Sequence, residues 1–408
     1  MKNSYLFKRL MICLIMAILL GLALSGNAFG QSTLRAQNSA ANSSPNTNSY
    51  ANANASSSMT TQPSPPKTSA YEGSWKTILL QRQAQDQFNQ KNVSEFRLFA
   101  DLKYQPLQDI YFKLSPLFFY STGYMQTQQQ QQASTSMVTV MEASINGDLS
   151  WVTASAGALD QTPYHPMILL DDDTFPAVRL DVHSDLKANW IFGALAESAI
   201  PTAASLSTET EEAEKTPSYN TANVYLKTQK LRLEMELRAG GYQFQNLPMS
   251  VATKSSLLGN TTESSNGTDS VFVYEYEGPF AEILAKLQIM RGWRLGTRAE
   301  WVQNSKAPSG LNQGTLARGF TEINLTKAIQ ITPFYEYFRI EPDTAVAIYN
   351  ADIFGTNRIG YRSGMAFEYK KILKLTVSFG ERDVIYETPL QQKEKTMSVR
   401  LETSNVPI

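Results

Sequence analysis

Ionisable side chains recur at every second position in the segment 230–245: Arg232, Glu234, Glu236 and Arg238. In an extended strand this spacing puts them all on one face, with Leu233, Met235, Leu237 and Ala239 on the other. A wall carrying charges of both signs can attract and sort ions and polar solutes in water, and it cannot be a dry core. A second group, Asp171, Asp172 and Asp173, lies in the stretch ALDQTPYHPMILLDDDTFP, where a solvated loop or a calcium site are its plain readings. The chain has 2 histidines, His165 in that same stretch and His183 beside Asp181, and a histidine with a carboxylate can act as a base. No serine motif accompanies either one, and no metal-ligand spacing, phosphate loop or nucleotide motif is found. The expectation is therefore a non-enzyme without catalytic residues, cofactor or metal.

These charges need long strands to position them. The same alternation returns where Ile359, Tyr361, Met365, Phe367 and Tyr369 oppose Arg358, Arg362, Glu368 and Lys370, and where Met397, Val399 and Leu401 oppose Ser398, Arg400 and Glu402. An Arg or Lys turned onto lipid near the midplane costs ~2–4 kcal/mol, so a one-residue slip is strongly disfavoured and the charges face inward. The inward set comprises Arg179, Asp181, Arg232, Glu234, Glu236, Arg238, Arg294, Arg298, Arg358, Arg362 and Arg400. Aromatic residues near strand ends, among them Phe118, Tyr120, Trp190, Tyr242, Phe244, Trp293, Tyr335 and Tyr337, fit interfacial girdles.

The strands pair across tight turns: 93–104 with 109–121, 137–146 with 149–157, 177–184 with 188–199, 221–228 with 230–244, 270–290 with 293–303, 316–326 with 329–340, and 357–370 with 372–386, followed by 396–404. Asn146, Gly147 and Asp148 mark the second turn, and Gly278 and Pro279 mark a bulge that restores phase. Long polar connections separate the pairs, including 122–136 and 158–176. A closed antiparallel barrel needs an even count, so 74–84 is read as a further strand. The fold class is all-β: a transmembrane antiparallel up-and-down β-barrel of about 16 strands, with about 14 the alternative.

Residues 1–30 carry the charged, apolar and small-residue regions of a secretory signal, and the only cysteine, Cys13, lies within it. Residues 31–70, rich in Ser, Asn and Pro, read as a disordered periplasmic segment, and 71–408 as the barrel. Net charge is -1, and nothing suggests nucleic acid as a partner.

In these features the chain resembles the outer-membrane porins of Gram-negative bacteria, although it ends at Val406, Pro407 and Ile408 rather than on an aromatic residue. The resemblance covers about residues 74–408 and is architectural. It implies a channel for passive diffusion of small hydrophilic solutes or ions, surrounded by outer-membrane lipid and lipopolysaccharide, inserted by the barrel assembly machinery and open to homotrimer formation. It also implies that 158–176 folds inward, setting Asp171, Asp172 and Asp173 against a basic wall. The alternatives are a plugged structural or surface-interaction barrel and, last, a barrel hydrolase.

Overall fold

The computed structural model describes residues 71–86, 90–107, 109–126, 131–171, 173–186, 189–201, 215–230, 232–264, 270–350, 354–388 and 391–407. The signal and tether expected over 1–70 lie outside them. Strands β1 (Tyr71–Gln85), β2 (Gln90–Leu107), β3 (Ile110–Gln126), β4 (Gln131–Leu149), β5 (Val152–Asp160), β6 (Thr174–Leu186), β7 (Trp190–Ala199), β8 (Ser218–Lys230) and β9 (Leu233–Gln245) follow in order around the wall. A small hairpin of β10 (Thr262–Ser264) and β11 (Ser270–Phe272) stands apart, next to the helix α1 (Met249–Leu257). The wall resumes with β12 (Tyr276–Met290), β13 (Trp293–Gln303), β14 (Gln313–Asn324), β15 (Ile329–Ile340), β16 (Arg358–Tyr369), β17 (Leu373–Val384) and β18 (Glu394–Thr403). Pairing of β1 with β18 closes a 16-strand antiparallel barrel, and the two-residue β19 (Val406–Pro407) adds to the foot of β1. The segment 74–84 is thus a full stave.

Alternation decides which face meets what. Val178, Leu180, Leu295, Tyr335, Tyr337, Phe367 and Phe379 point outward and are exposed, while their inward neighbours are mostly buried. A surface this apolar is stable only against hydrocarbon. Tight turns gather at one end of the barrel; the other end carries the long connections, together with two of only four residues after β1 and β3.

Four local readings are corrected. The turn after β4 falls at Ser150 and Trp151, with Leu149 opposite Val152, and not at Asn146 to Asp148: β3 pairs with β4 as far as Gly147, which holds the strand extended past its turn-forming residues. Arg232 belongs to the connection between β8 and β9, because Lys230 pairs with Leu233, so it is exposed and does not line the strand face. Pairing runs unbroken from Tyr276 opposite Phe244 to Leu287 opposite Leu233, so Gly278 and Pro279 form no bulge, and the irregularity lies between Gln288 and Met290. The segment 122–136 is mostly strand: cross-strand pairing from Thr122 with Ser134 to Met125 with Gln131 overrides its loop-like composition.

Candidate functional site

The lumen is shaped by the connection between β5 and β6. At Gly157 the backbone has φ +129, and a Cβ there would lie 2.2 Å from the Ala143 carbonyl oxygen, so only glycine lets β5 approach β4 this closely. Past Asp160, whose Oδ1 accepts the Thr162 N–H at 2.9 Å, the chain turns inward instead of continuing the wall. The Gln161 N–H donates to the Asp173 carbonyl at 2.9 Å and ties the neck of the loop. Its apolar tip, Met167, Ile168, Leu169 and Leu170, is at most 2% exposed.

Wall side chains hold this loop. Glu300 on β13 accepts the Ile168 N–H at 3.1 Å, and Arg238 on β9 donates to the Pro163 carbonyl at 3.1 Å. Arg179 on β6 pairs with Glu197, donates to the Asp160 carbonyl and lies 3.7 Å from the centre of the Tyr164 ring. His165 sits between Gln161 Oε1 and the Tyr219 hydroxyl, each at 3.2 Å. Burial first, then the charges of Arg179 and Arg238, hold its imidazole well below the ordinary histidine range. Asp171 is buried, with its N–H donating to the Tyr349 carbonyl at 3.0 Å, so it is no solvated loop residue; Asp172 lies outside the described residues. His183 faces the lumen on β6 with Asp181, whose carboxylate accepts the Tyr225 hydroxyl at 2.8 Å.

A second connection, 341–357, also turns inward and completes the packing. Val346, Tyr349 and Phe354 join Ile168, Leu169, Phe175, Tyr219, Tyr276, Phe280, Leu316 and Phe338 in one apolar cluster that reaches from β5 to β15. Tyr242 and Phe244 belong to it, which corrects their girdle reading: they face inward because the loops offer them apolar cover. Asn260, just after α1, orders the connection by donating to the Pro342 and Ala345 carbonyls at 2.6 and 2.9 Å and accepting the Ala347 N–H at 2.7 Å. Asp343 accepts from the Thr261 N–H at 2.9 Å and the Tyr276 hydroxyl at 3.1 Å; burial nevertheless raises its carboxyl above the usual range. Asn304 donates to the Asp343 and Glu275 carbonyls. Neither Asn260, Asn304 nor Asp343 stands out in the sequence, since each lies in a polar connection where such residues are common.

The rest of the inner wall is ionic. Arg238 bonds Glu236 at 2.6 Å, and Arg298 bridges Glu282 at 2.8 Å and Glu300 at 2.6 Å. Lys286 lies 4.0 Å from Glu234, and Arg294 lies 3.8 Å from Glu322 near the tight-turn end. Glu336 takes Arg362 at 2.9 Å, and Glu402 gathers Lys76, Lys374 and Arg400 at 3.3, 3.1 and 2.9 Å. Arg358 donates to the Gln392 carbonyl, and Arg382 bonds Glu394 at 2.6 Å. The sequence reading missed Glu95, Arg97, Arg382 and Glu394. For Glu95, Arg97 and Arg382 the signal was parity, since each falls on the inward phase of a strand already recognised, whereas Glu394 lies ahead of the 396–404 strand, in a stretch read as a connection.

Inward rings lie along the wall over facing glycines. Phe320 covers Gly296, where a Cβ would sit 2.2 Å from the ring, and Phe334 covers Gly364 at 2.7 Å. Outside, Ala194, Ala196, Ala222 and Ala239 floor a shallow apolar depression of about 440 Å³ ringed by Leu180, Val182 and Val224.

No family model matches this chain, and no curated protein matches it. Among solved structures it is similar to Pseudomonas putida OprB at high pH, with 10% identity and a TM-score of 0.54 over 83% of this chain and 94% of that one. The low-pH structure of the same protein gives 8% identity and a TM-score of 0.50 over 82% and 92%. An in-vitro folded, trimeric form of OmpT, an outer membrane protein of Vibrio cholerae, gives 10% identity and a TM-score of 0.47 over 82% and 99%. The chain has the fold of the outer-membrane β-barrels, closed on 16 antiparallel strands.

Proposed function

We propose that this chain is a porin-like channel of the bacterial outer membrane, passing small hydrophilic solutes or ions through a barrel narrowed by residues 161–173. The observation carrying this reading is the asymmetry of the lumen. The apolar cluster under the infolded loops draws wall residues from β5 to β15 and none from the arc of β16 through β18 to β2, whose inward face bears Arg358, Arg362, Arg382, Arg400, Glu402, Lys76 and Arg97. Paired charges along a wall suit water and hydrated solutes.

A second reading, a barrel plugged by its own loops, draws on the extent of that same cluster, in which Ile168, Leu169, Val346 and Phe354 are 0% exposed. Planar-bilayer recording of the refolded chain separates the two. The channel reading expects discrete steps in the intact chain; the plugged reading expects steps only after 162–172 is replaced by a short Gly-Ser link. Neither reading includes catalysis: Gln161 and Tyr219 hold His165 as part of the loop's packing. His165→Ala and His183→Ala should leave any hydrolysis of esters or peptides at background. Lipid, lipopolysaccharide and the assembly machinery are the surroundings this reading implies, and the depression over Ala194 and Ala222 suits either an acyl chain or a second subunit.

A further inference from the structure

The inward turn of 161–173 leaves a gap in the wall. β5 pairs with β4 only from Ala143 opposite Ala158 down to Leu149 opposite Val152. Above Ala143, β4 continues to Gln131 paired with β3 on one side alone. Thr174 Oγ1 donates to the Met141 carbonyl at 2.6 Å and closes the seam there. Beyond that point, among the described residues, no strand pairs with the second edge of β4.

Above this boundary β4 is more exposed than the strand it pairs with. Phe119 on β3 is 7% exposed, while Met137 opposite it is 47% exposed; Phe118 is 40% exposed and Val138 opposite it 75%. Ser134, Thr135, Ser136, Met137 and Val138 are all exposed, so both faces and the edge of this stretch are open. Sheet edges are ordinarily blunted by charge, proline or a bulge. The stretch 131–141, QQASTSMVTVM, contains no Lys, Arg, Asp, Glu, Pro or Gly, and the one irregularity in its pairing with β3 lies at Met141, below residues 134–140. Val138 stands about 28 Å above the β4 to β5 turn at ~3.3 Å per residue and ~40° tilt, so the open edge lies where the hydrocarbon ends on the loop side.

We propose that residues 134–140 of β4 are a β-augmentation site that takes an uncharged, extended, β-branched segment of a separate polypeptide on the loop side of the barrel. The backbone row of β4 supplies the ladder bonds, and Met137 and Val138 on opposite faces receive the partner's alternating side chains. Charge complementarity selects a neutral strand, because a charge laid against Met137 or Val138 is desolvated with no counter-ion in 131–141. A second copy of this chain does not fit. Two barrels in one membrane keep the same up-and-down sense, so their β4 edges, each tilted ~40°, cross steeply and form no continuous ladder. Acyl chains do not fit either, since they offer nothing to N–H and C=O groups.

The full chain in lipid nanodiscs tests this with a short fluorophore-labelled peptide of alternating Thr and Val, read by anisotropy. Saturable binding that weakens at least ~10-fold in the S136K/V138K variant, which arms the edge with charge, supports the site. The same peptide with alternate backbone nitrogens methylated is run on the unmodified chain, so the test stands even if the variant fails to close. Loss of its binding supports a backbone ladder. Absence of saturable binding, equal binding to S136K/V138K, or equal binding of the methylated peptide overturns the proposal. Vesicles carrying lipopolysaccharide are the third probe: if only they bind, and S136K/V138K alters that binding, the edge serves a glycolipid and the peptide proposal falls. None of these readouts depends on whether the barrel conducts.

Discussion

The Ile168 backbone N–H donates to Glu300 Oε2 at 3.1 Å, joining the tip of the infolded loop to the barrel wall. The same carboxylate takes Arg298 Nε at 2.6 Å. Glu300→Ala therefore strands the backbone donor and leaves Arg298 with its Glu282 ion pair. The expected cost to loop docking is roughly 1–3 kcal/mol, the penalty of leaving a buried donor unpaired. It should appear as proteolytic cleavage within 161–173 in the folded barrel and as noisier, larger conductance; an unaltered cleavage pattern counts against the anchor.

Acid should loosen the same loop. His165 is held well below the ordinary histidine range by burial, then by Arg179 and Arg238, whereas in an undocked loop it would titrate near ~6.5. A depressed histidine contributes its full docking stability above the undocked value and loses it as pH falls below ~6.5, because only the released imidazole can take up the proton. Protease sensitivity of 161–173 should thus rise as pH falls below about 6.5. In His165→Gln, which keeps a polar group but cannot titrate there, the slope should flatten, and an identical slope would exclude His165 as its source.

Asn260 meets three backbone groups of the 341–357 connection. Asn260→Leu fills similar space but satisfies none of them. We expect a local loss of about 2–4 kcal/mol at this connection, with the barrel itself intact. Hydrogen exchange should show faster labelling of Ala347 and its neighbours, while β16 and β17 stay protected. Uniformly unchanged labelling would refute the assignment.

The Phe320 ring over Gly296 makes a coupled pair. Gly296→Ala places a methyl where the ring lies, which should destabilise the barrel by roughly 1–3 kcal/mol or force the ring into the lumen. Phe320→Ala in the same chain should restore folding and conductance. Additive losses in the double variant would mean that the two residues do not touch.

Leu237 faces outward next to Glu236 and Arg238, which face inward. Leu237→Lys should cost ~2–4 kcal/mol in refolding from urea into lipid, while Glu234→Gln, on the inner face, should cost under ~1 kcal/mol. Equal costs would overturn the facing assigned to β9.

Period-two alternation determined most of the staves and their facing, because a one-residue slip carries every charge of a strand into lipid, and the need for an even count set their number. Arg179, Asp181, Glu234, Glu236, Arg238, Arg298, Arg358, Arg362 and Arg400 all face inward for that reason, and the missing stave at 74–84 followed from parity alone. Only the tertiary structure decided what fills the lumen. The Met167 to Leu170 tip reads equally as a buried or an exposed apolar run, and its depth in the barrel comes from partners as distant as Glu300 and Tyr349. Tyr242 and Phe244 carry no local mark of being covered, so alternation alone let them pass for a girdle. The open edge of β4 was hidden for the same reason: a strand's sequence records the faces it shows, whereas an edge is free or paired according to where the neighbouring chain goes.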